Sequence, residues 1–573
     1  MVRTLIALVV VGGLVATGWA QEELPWISKA RLGMVVSDSP DASLMGAQAL
    51  ALGGNAFDAA IVTSLSLAVT RPQSTGLGGG GFMIAYVAKD DRFVALDFRE
   101  TAPAAATRER YAKLLAEAGN GPPPTLYGGA AVAVPGLVAG LGEIHRRYAT
   151  RPMSDLTALA VFLTQSGFAA DEHYLKACRS VLDDYAKWPQ LKERCGRTYE
   201  TLLREGNLPK IGERVRRPDL TETLRLLGEQ GAEPFYTGEV AAAIVEAVQA
   251  TGGLLTKEDL AGYHVKEREP LRFNYRGYEI VTMPPPSSGG VCIAQTLNIL
   301  ATYAGDSATQ PVAGRTHILA EALKHSFADR ARYLGDPDFG AVPAARFLDR
   351  DHARELARRI QPDKTLSPKE YGTAASAPDD RGTSHFCVAD KDGNVVTMTE
   401  TINGLFGSLV VAGSYGIVLN NEMDDFSMPS DQPNLYGLVQ SPANMVAPGK
   451  RPLSSMSPTL VCKDGKPVLA LGASGGPRII TSVVQVMLAM LDQNQRLEQA
   501  LPALRLHHQW QPDEVYFDQE PPKELAEALK AVGHKLSDER KTGIVHALVI
   551  LPNGWVVGGC DPRGGGRPGA VLE

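Results

Sequence analysis

Hydroxyl side chains line two strand-like stretches between residues 381 and 403, on either side of a turn. They belong to Thr383, Ser384, Thr397, Thr399 and Thr401. The intervening Asp392-Gly393 is a strong signal for a β-hairpin turn. A four-residue loop at 391–394 would pair Ser384 with Thr401, whereas a register one residue different would pair Thr383 with Thr401. Because paired Cα atoms of antiparallel strands lie about 4.5–5.5 Å apart, both registers place the Thr401 hydroxyl near Thr383.

A segment with no clear secondary-structure pattern, here called the lead-in, precedes this hairpin. Residues 361–382 are polar and Pro-rich and form the longest featureless segment of the chain. A structureless loop of this length inside a compact domain is usually functional, and we interpret it as an exposed junction that can be cut. Cleavage between Gly382 and Thr383 would give Thr383 an α-amine, whose ordinary pKa of about 7.7–8.0 suits a base near neutral pH. The sequence therefore predicts an N-terminal threonine nucleophile that carries its own base.

The sequence GASGG at 472–476 lies between a strand-like stretch, PVLAL, and a helical stretch, RIITSVVQVMLAML. It matches the GxSxG pattern of the α/β-hydrolases, in which Ser474 would be the nucleophile. The other triad members would come from Asp513 or Asp518 and from His534 or His546. Fewer than 100 residues follow Ser474, which leaves little room for the βα units of that fold. Alternatively, the consecutive amides of Gly475 and Gly476 form an oxyanion cradle.

A glycine-rich run at 76–81 also matches GxGxxG, the fingerprint of dinucleotide-binding folds. That site needs the order strand, loop, helix, so that the phosphate meets a helix N-terminus. Here a helical pattern precedes the glycines and a strand-like stretch follows them. We therefore expect a loop in which backbones pack closely, and no nucleotide cofactor.

The composition limits the classes of function. The 573 residues carry a formal net charge of −7 and show no basic cluster, which argues against nucleic-acid binding. The six cysteines include no CxxC pair, and we predict no zinc or other metal site and no cofactor. Cys178 and Cys195 are 17 positions apart and could pair in an oxidising compartment, and this pairing stays open.

The first 20 residues have the pattern of a secretory signal peptide: Arg3, an apolar run from Leu5 to Ala16, and small residues at Gly18 and Ala20. The apolar run is shorter than the roughly 20 residues that span a membrane, and no later stretch reaches that length uninterrupted. We expect cleavage after Ala20, export to the periplasm or the extracellular space, and no stable membrane insertion of the mature chain.

The elements that would position these residues are helices early in the chain and strands late in it. Two apolar-faced helices are predicted between Pro40 and Thr70, broken at Gly53-Gly54, with Asn55 as the cap of the second. Further helical patterns occur at 131–148, 154–167, 218–231, 239–250, 315–334 and 478–492. Strand-like runs occur at 270–283 and dominate from 383 onward. The length allows one large unit or two to three domains.

Seven strings in this chain resemble, in order, the γ-glutamyltranspeptidases (glutathione hydrolases), a family of N-terminal-nucleophile hydrolases. The strings are PQSTGLGGGGFM, LDFRETAP, PPPSSGG, TSHFCVADKDGNVV, GIVLNNEMDDFS, GKRPLSSMSPT and HHQW. The likeness extends from about Gly33 to Pro568. It implies an α+β fold, a four-layer αββα sandwich of two stacked, mainly antiparallel sheets flanked by helices.

The resemblance implies self-processing. Thr383 would attack the Gly382 carbonyl, with Thr401 hydrogen-bonded to the nucleophile. The cut would leave a large subunit of 21–382 and a small subunit of 383–573, which stay together as a heterodimer in one folded unit. The implied substrates are glutathione and other γ-glutamyl compounds, and water, amino acids or dipeptides would accept the γ-glutamyl group.

The resemblance also implies the groups that surround the substrate. The oxyanion-hole amides would come from Gly475 and Gly476. The γ-glutamyl head carries an α-carboxylate and an α-ammonium, which need opposite partners. The family's carboxylate clamp is matched by Arg99, Ser454 and Ser455. Its ammonium-binding set is matched by Asn403, Glu422 and Asp425. The gate of its lid loop is matched by Tyr436, in PNLYGLVQSPANMVAPGK.

Three positions depart from the usual family pattern. Ser474 stands where many members have Pro, Pro477 stands where Ser is frequent, and Glu400 places a charge beside Thr401. Glu400 would be harmless on the opposite face of its strand, but facing the site it would raise the basicity of the nucleophile or disfavour acidic acceptors. The alternatives are a cephalosporin acylase-type amidohydrolase of the same fold, the Ser474 hydrolase, and a binding protein that no longer processes itself.

Overall fold

Two seven-stranded sheets form the centre of the protein, and every strand pair within them is antiparallel. The computed structural model describes residues 24–303, 311–372, 382–428 and 442–572. The first sheet contains, in spatial order, β1 (Ile27–Ala30), β20 (Val556–Cys560), β19 (Ile544–Ile550), β15 (Lys466–Ser474), β14 (Thr459–Lys463), β9 (Tyr278–Thr282) and β8 (Leu271–Tyr275). The second contains β21 (Gly569–Val571), β2 (Gly33–Ser37), β10 (Ser384–Asp390), β11 (Val395–Thr401), β3 (Gly80–Val87), β4 (Arg92–Phe98) and β7 (Lys266–Arg268).

Smaller strand groups complete the β-structure of the described residues. They are β5 (Phe168–Ala169) with β6 (Arg214–Val215), β12 (Val411–Ala412) with β13 (Ile417–Val418), and β16 (Leu506–His507) with β17 (Val515–Phe517) and β18 (Leu536–Arg540). The α-helices of the described ranges are α1 (Pro40–Ala51), α2 (Ala56–Thr70), α3 (Arg108–Ala118), α4 (Leu137–Tyr148), α5 (Met153–Ser166), α6 (Glu172–Lys187), α7 (Gln190–Arg194), α8 (Gly196–Thr201), α9 (Thr221–Gln230), α10 (Glu233–Tyr236), α11 (Glu239–Ala250), α12 (Lys257–Ala261), α13 (Gly289–Leu300), α14 (Val312–Tyr333), α15 (Ala344–Leu348), α16 (Arg350–Arg359), α17 (Arg478–Leu491), α18 (Leu497–Ala500) and α19 (Lys523–Ala531).

The two sheets face each other, and helices cover their outer faces. Strands β10 and β11 of the second sheet pack on β15 of the first, while α2 packs on the outer face of β10 and β11. On the other side, α13 and α17 pack on the first sheet. Along β2, Val35 belongs to the apolar core under α2 and Val36 to the core between the sheets, as side chains that alternate across a strand require. The predicted four-layer αββα sandwich is confirmed.

The first two helices end and begin where the sequence indicates. Helix α1 stops at Ala51, and α2 starts after Asn55, whose side chain accepts hydrogen bonds from the amides of Phe57 and Asp58. The Asp58 carboxylate accepts in return from the Asn55 amide at 2.8 Å, which completes a capping box. Helix α2 is buried along its whole length because it lies between the second sheet and α5.

The structure selects one of the two predicted hairpin registers. Ser384 lies opposite Glu400 and His385 opposite Thr399, and extending this register by one residue places Thr383 opposite Thr401. The glycine-rich run at 76–81 follows a helix and leads into β3, as predicted. A Cβ on Gly79 would lie 2.0 Å from the Thr401 carbonyl oxygen, so the backbones do pack closely.

Two expectations need correction. The helix expected at 131–148 begins at Leu137, because Gly129–Ala131 form a short 3₁₀ turn and Pro135 lacks the amide of a helical residue. The lead-in at 361–382 is not featureless throughout: Pro368–Glu370 form a 3₁₀ turn, and residues 361–372 make several buried polar contacts. Their partners are distant in sequence, which is why the local pattern gives no signal.

Three further points concern the cysteines, the leader and the membrane. All six cysteines are buried free thiols, so Cys178 and Cys195 are not joined. The predicted signal peptide at 1–20 lies outside the described residues. Within the described ranges, the helices are too short or too polar to cross a membrane.

Candidate active site

The two predicted catalytic threonines meet at the Gly382 carbonyl. The Thr383 and Thr401 Oγ1 atoms are 3.2 Å apart, and the Thr383 hydroxyl also contacts the Gly382 carbonyl oxygen. The Thr401 hydroxyl donates to the same carbonyl oxygen at 3.3 Å. The Asn403 amide donates to Thr401 Oγ1 at 2.8 Å and so directs the Thr401 proton toward Gly382. This arrangement places a nucleophile and a polarising donor on one peptide carbonyl.

Position 382 accommodates glycine but not a residue with a side chain. Its φ of +97° lies in the region that residues with a Cβ rarely adopt. A Cβ at this position would also lie 2.7 Å from the Asn403 carbonyl oxygen. The residue before the nucleophile is therefore a glycine for conformational and steric reasons.

Arg99 is the buried cation of the site. The strand β4 ends at Phe98, so Arg99 leaves the sheet edge and points into the cavity beside Thr383. Its guanidinium pairs with Glu422 and, at 2.6 Å, with Asp425, while its Nε donates to the Pro452 carbonyl at 3.2 Å. Burial would lower the pKa of this guanidinium, but the carboxylates of Glu422 and Asp425 outweigh burial and raise it. Arg99 is therefore a fixed positive charge.

Three carboxylates surround this single guanidinium. Glu422 and Asp425 come from a 3₁₀ turn at Glu422–Asp425, and Glu100 follows Arg99 directly. Both Glu100 carboxylate oxygens are buried and have no hydrogen-bond partner among the described residues. Burial, partly offset by Arg99, raises the pKa of Glu100 to about 7 and that of Glu422 well above its usual value. The site thus crowds three acidic groups around one guanidinium, and two of them hold a proton more readily than an ordinary glutamate.

Two loops place the remaining polar groups. Ser454 is fixed by its backbone, because its carbonyl accepts the Ser288 amide at 2.7 Å and its amide donates to Pro286 at 2.9 Å. Ser455 lies beside it on the cavity wall. Strand β15 ends at Ser474 and α17 begins at Arg478, which gives the predicted strand-to-helix turn.

The glycines at this turn adopt conformations that only glycine favours. Gly475 has a φ of +125° and Gly476 a φ of +54°. Gly476 lines the same cavity as Thr383, and Gly475 precedes it in the chain. The turn therefore places Gly476 on the wall of the cavity that holds Thr383, and the oxyanion cradle stays a prediction.

Most of the predicted residues line one cavity of about 20 Å³. Its lining includes Arg99, Thr383, Thr401, Asn403, Glu422, Asp425, Ser454, Ser455 and Gly476. Tyr436 lies outside the described residues.

Sequence reasoning missed Glu100 and Arg330. Glu100 had a signal, since two successive charges follow an apolar strand. Arg330 lies on the buried face of α14, and a charged residue there could have been noticed because arginine is rarely buried without a partner. Its Nε donates to Ser288 Oγ at 2.9 Å, and that hydroxyl donates to the Ser454 carbonyl at 2.6 Å. Arg330 therefore supports the loop that carries Ser454.

Glu400 lies on the opposite face of β11 from Thr401. Its carboxylate accepts from Ser64 Oγ at 2.5 Å and from Thr75 Oγ1 at 3.1 Å, under helix α2. Burial, partly offset by these two hydrogen bonds, raises the pKa of Glu400 to about 8. The sequence left open which face of the strand carries Glu400, and in the structure Glu400 faces away from Thr383.

The proposed partners of a Ser474 triad bind other groups. His546 Nε2 contacts Asp38 at 2.6 Å, and His534 Nε2 contacts His317 at 2.7 Å. The carboxylates of Asp513 and Asp518 pair with Lys324 and Arg563, respectively. Among the described residues these groups do not assemble a serine triad.

A sequence model described as gamma-glutamyltranspeptidase matches residues 42–571. The chain belongs to the γ-glutamyltranspeptidase family. The glutathione hydrolase proenzyme of Escherichia coli (strain K12) is 40% identical over 538 residues, which cover 93% of this chain and 91% of that protein. The acylase ACY 1 proenzyme of Pseudomonas sp. (strain SE83) is 36% identical over 545 residues, covering 94% and 93%.

Solved structures agree with this membership. The cephalosporin acylase from Bacillus halodurans superposes with a TM-score of 0.84 at 27% identity, covering 98% of this chain and 100% of that one. The γ-glutamyltranspeptidase of Helicobacter pylori gives a TM-score of 0.53 at 36% identity, covering 58% and 93%. The γ-glutamyltranspeptidase family thus includes relatives named as hydrolases and as acylases, and the site must decide between these activities.

Proposed function

We propose that this chain is a self-processing γ-glutamyltransferase and hydrolase that acts on glutathione and other γ-glutamyl compounds. The observation that carries the proposal is the contact of the Thr383 hydroxyl with Gly382 and Thr401, at a cavity lined by Arg99 and acidic groups. The names of the relatives support the substrate and, as proenzymes, the cleavage.

Self-cleavage in the proposed mechanism begins with attack of Thr383 Oγ1 on the Gly382 carbonyl carbon. The Thr401 hydroxyl stabilises the negative charge that develops on the carbonyl oxygen. The Gly382–Thr383 C–N bond breaks, the freed nitrogen takes a proton, and Gly382 is left as an ester on Thr383. Water hydrolyses the ester, which leaves a carboxylate on Gly382 and a free hydroxyl and α-amine on Thr383.

Turnover repeats this chemistry on the substrate. The Thr383 α-amine accepts the proton of its own hydroxyl as Oγ1 attacks the γ-glutamyl carbonyl. The amides of Gly475 and Gly476 stabilise the oxyanion, and the amine leaving group takes the proton. Water, or the amine of an amino acid or dipeptide, then attacks the acyl-enzyme and releases the γ-glutamyl group.

In the proposed complex, the charged groups of the γ-glutamyl head replace ion pairs that Arg99 makes within the protein. Without substrate, Arg99 pairs with Glu422 and Asp425. A zwitterionic head offers Arg99 a carboxylate and offers Asp425 an ammonium, so the Arg99–Asp425 ion pair would be replaced by two pairs with the substrate. The crowding of carboxyl groups around Arg99 favours a substrate head that brings an ammonium with it. Ser454, Ser455 and Asn403 would orient the two groups, and Tyr436 would gate the cavity.

The finer organisation belongs to the same proposal. Residues 1–20 would be removed as a signal peptide, and the product would work in the periplasm or outside the cell. Residues 21–382 and 383–573 would be the large and small subunits. Gly382, whose φ and surroundings exclude a side chain, would mark the junction.

The decisive experiment compares the wild-type chain with Thr383→Ala on a denaturing gel and with a γ-glutamyl anilide. We expect two fragments and anilide hydrolysis for the wild type, and one uncut, inactive chain for the variant. An uncut wild-type chain would refute self-processing.

The second candidate is an acylase, which the 0.84 TM-score to a cephalosporin acylase favours. Its glutaryl substrate lacks the α-ammonium, so a glutaryl carboxylate that bound Arg99 would bring no ammonium for Asp425 in exchange. Hydrolysis of glutaryl-cephalosporin without hydrolysis of γ-glutamyl anilides would favour the acylase over our proposal.

A further inference from the structure

Residues 361–372, here called the arm, are held by a buried lysine. Lys324 lies on α14 and is fully buried. Its ammonium donates to Thr365 Oγ1 at 2.7 Å and to the Leu366 carbonyl at 3.0 Å. A buried ammonium that binds two groups of one short segment fixes that segment in place.

A buried carboxylate completes this contact. Glu321, one helical turn before Lys324, lies 3.2 Å from its ammonium. The Glu321 carboxylate accepts from Thr365 Oγ1 at 2.6 Å and from the Tyr371 hydroxyl. Burial would raise the pKa of Glu321, but Lys324 and these hydrogen bonds outweigh it and lower it. The anionic form of Glu321 is therefore favoured, and Glu321 and Lys324 are both hydrogen-bonded, which is what a buried ion pair needs.

The other side of the arm rests on residues that follow Thr383 in the chain. Trp510 Nε1 donates to the Pro368 carbonyl at 2.9 Å. The Thr365 amide donates to the Val532 carbonyl at 2.7 Å. The arm thus lies between α14, which precedes the cleavage junction, and two loops that follow it.

A pair of histidines closes the same cluster. His317 Nε2 donates to the Gln361 carbonyl at 2.7 Å, and His317 Nδ1 lies at hydrogen-bond distance, 2.7 Å, from His534 Nε2. His317 and Glu321 precede the junction and His534 follows it. This contact therefore also joins the two sides.

These three residues also have the composition of a metal site. Ligand atoms of His317, Glu321 and His534 lie within 4.8 Å of one another. However, the Lys324 ammonium already supplies the positive charge beside Glu321, at 3.2 Å. A divalent cation there would meet a lysine in place of a further ligand. The geometry favours a metal-free hydrogen-bonded cluster.

We propose that Glu321 and Lys324, with His317 and His534, form a clasp that keeps the arm docked between α14 and the loops at Trp510 and Val532 after the Gly382–Thr383 bond is cut. The proposal rests on the proposed self-cleavage. Once the bond is cut, the arm loses its covalent link to the small subunit. The clasp, together with the hydrogen bonds of Trp510 and Val532, then holds the end of the large subunit in place.

Two lysines within the arm allow trypsin digestion to report whether the arm is docked. Lys364 and Lys369 are exposed side chains within it, so trypsin can reach them, but cleavage requires the arm backbone to detach. The variant is Thr365→Val with Tyr371→Phe, which removes hydroxyl contacts to the clasp and keeps side-chain shape. The control is Tyr303→Phe, which removes a hydroxyl bond of 3.1 Å to the Ala357 carbonyl, both within the large subunit.

We expect trypsin to cut after Lys364 and Lys369 at least about tenfold faster in the processed variant than in the processed wild type, as judged from the mass of the large fragment. Tyr303→Phe should behave as the wild type. In the uncut Thr383→Ala background the same pair of substitutions should have a smaller effect, because the arm is tethered at both ends.

Equal digestion of the variant and the wild type in processed protein would overturn the clasp. An equal effect in cut and uncut chains would also overturn it as a post-cleavage contact. One tightly bound zinc per chain, with faster cutting of the arm after chelation, would overturn the metal-free cluster. If the wild type is never cut, the gel shows this directly, and protection of Lys364 and Lys369 in the uncut chain still tests the anchoring of the arm.

Discussion

The Thr401 hydroxyl contacts both the Gly382 carbonyl and the Thr383 hydroxyl. It donates to the Gly382 carbonyl and lies within hydrogen-bond distance of the Thr383 nucleophile. We predict that Thr401→Val slows self-cleavage by roughly 10²–10³-fold, the usual cost of one lost oxyanion donor. Thr401→Ser keeps the hydroxyl and should stay within about tenfold of the wild type. A time course on denaturing gels measures both rates, and equal rates for Val and Ser would contradict the role.

Glu400 predicts a pH dependence of stability. Burial holds its pKa at about 8 in the folded protein, above that of an ordinary glutamate, so the folded state keeps a proton that the unfolded state has lost. The stabilising effect of that proton is present at low pH and is lost as the pH rises through 8. The negative charge of Asp38 reinforces this upward shift of the Glu400 pKa.

Glu400→Gln removes this proton dependence while keeping size and hydrogen-bonding capacity. We expect the unfolding free energy of the variant, minus that of the wild type, to increase by up to about 1.4 kcal/mol for each pH unit between pH 5 and 8. Denaturant unfolding at several pH values gives the difference, in which other titrating groups cancel. A difference that does not change with pH would show that Glu400 is ionised in the folded state.

At the scale of elements, the close approach of the glycine loop to β11 predicts a sharp contrast between two glycines. A Cβ on Gly79 would lie 2.0 Å from the Thr401 carbonyl oxygen, whereas one on Gly76 would meet nothing within 4 Å. Gly79→Ala should therefore displace Thr401, destabilise the fold by about 1–3 kcal/mol and slow self-cleavage. Gly76→Ala is the control. Thermal unfolding and gel time courses measure both, and similar behaviour of the two variants would contradict the packing argument.

The hairpin illustrates how far the sequence leads. Its turn signal and hydroxyl spacing placed Thr401 near Thr383, because strand pairing in a hairpin is a local rule. They left two registers open, and the strand pairing of the folded sheet shows which one forms. Arg330 and the anchoring of the arm were beyond local rules. Both depend on contacts between residues far apart in the chain, such as Lys324 with Leu366, and no periodicity encodes such pairs. The clamp residues around Arg99 were found only through the resemblance of their strings to a family.

At the scale of the whole molecule, the strand order intermixes the two subunits that the proposed cleavage would produce. Strands β1 to β9 precede Gly382 and β10 to β21 follow it. In the first sheet the two sets meet at β1–β20 and at β14–β9. In the second sheet they meet at β21–β2, β2–β10 and β11–β3. Separation of the fragments would break backbone ladders in both sheets and expose the core between them.

We therefore predict that cleavage at Gly382–Thr383 leaves the two fragments in one particle that unfolds in a single transition. On a sizing column without denaturant, the cut wild type and uncut Thr383→Ala should elute together, and dilution should not separate the fragments. Urea should release both fragments at the midpoint at which the circular dichroism signal is lost, because neither fragment contains a complete sheet. Release of one folded fragment before that midpoint would contradict the intermixed architecture as the source of assembly.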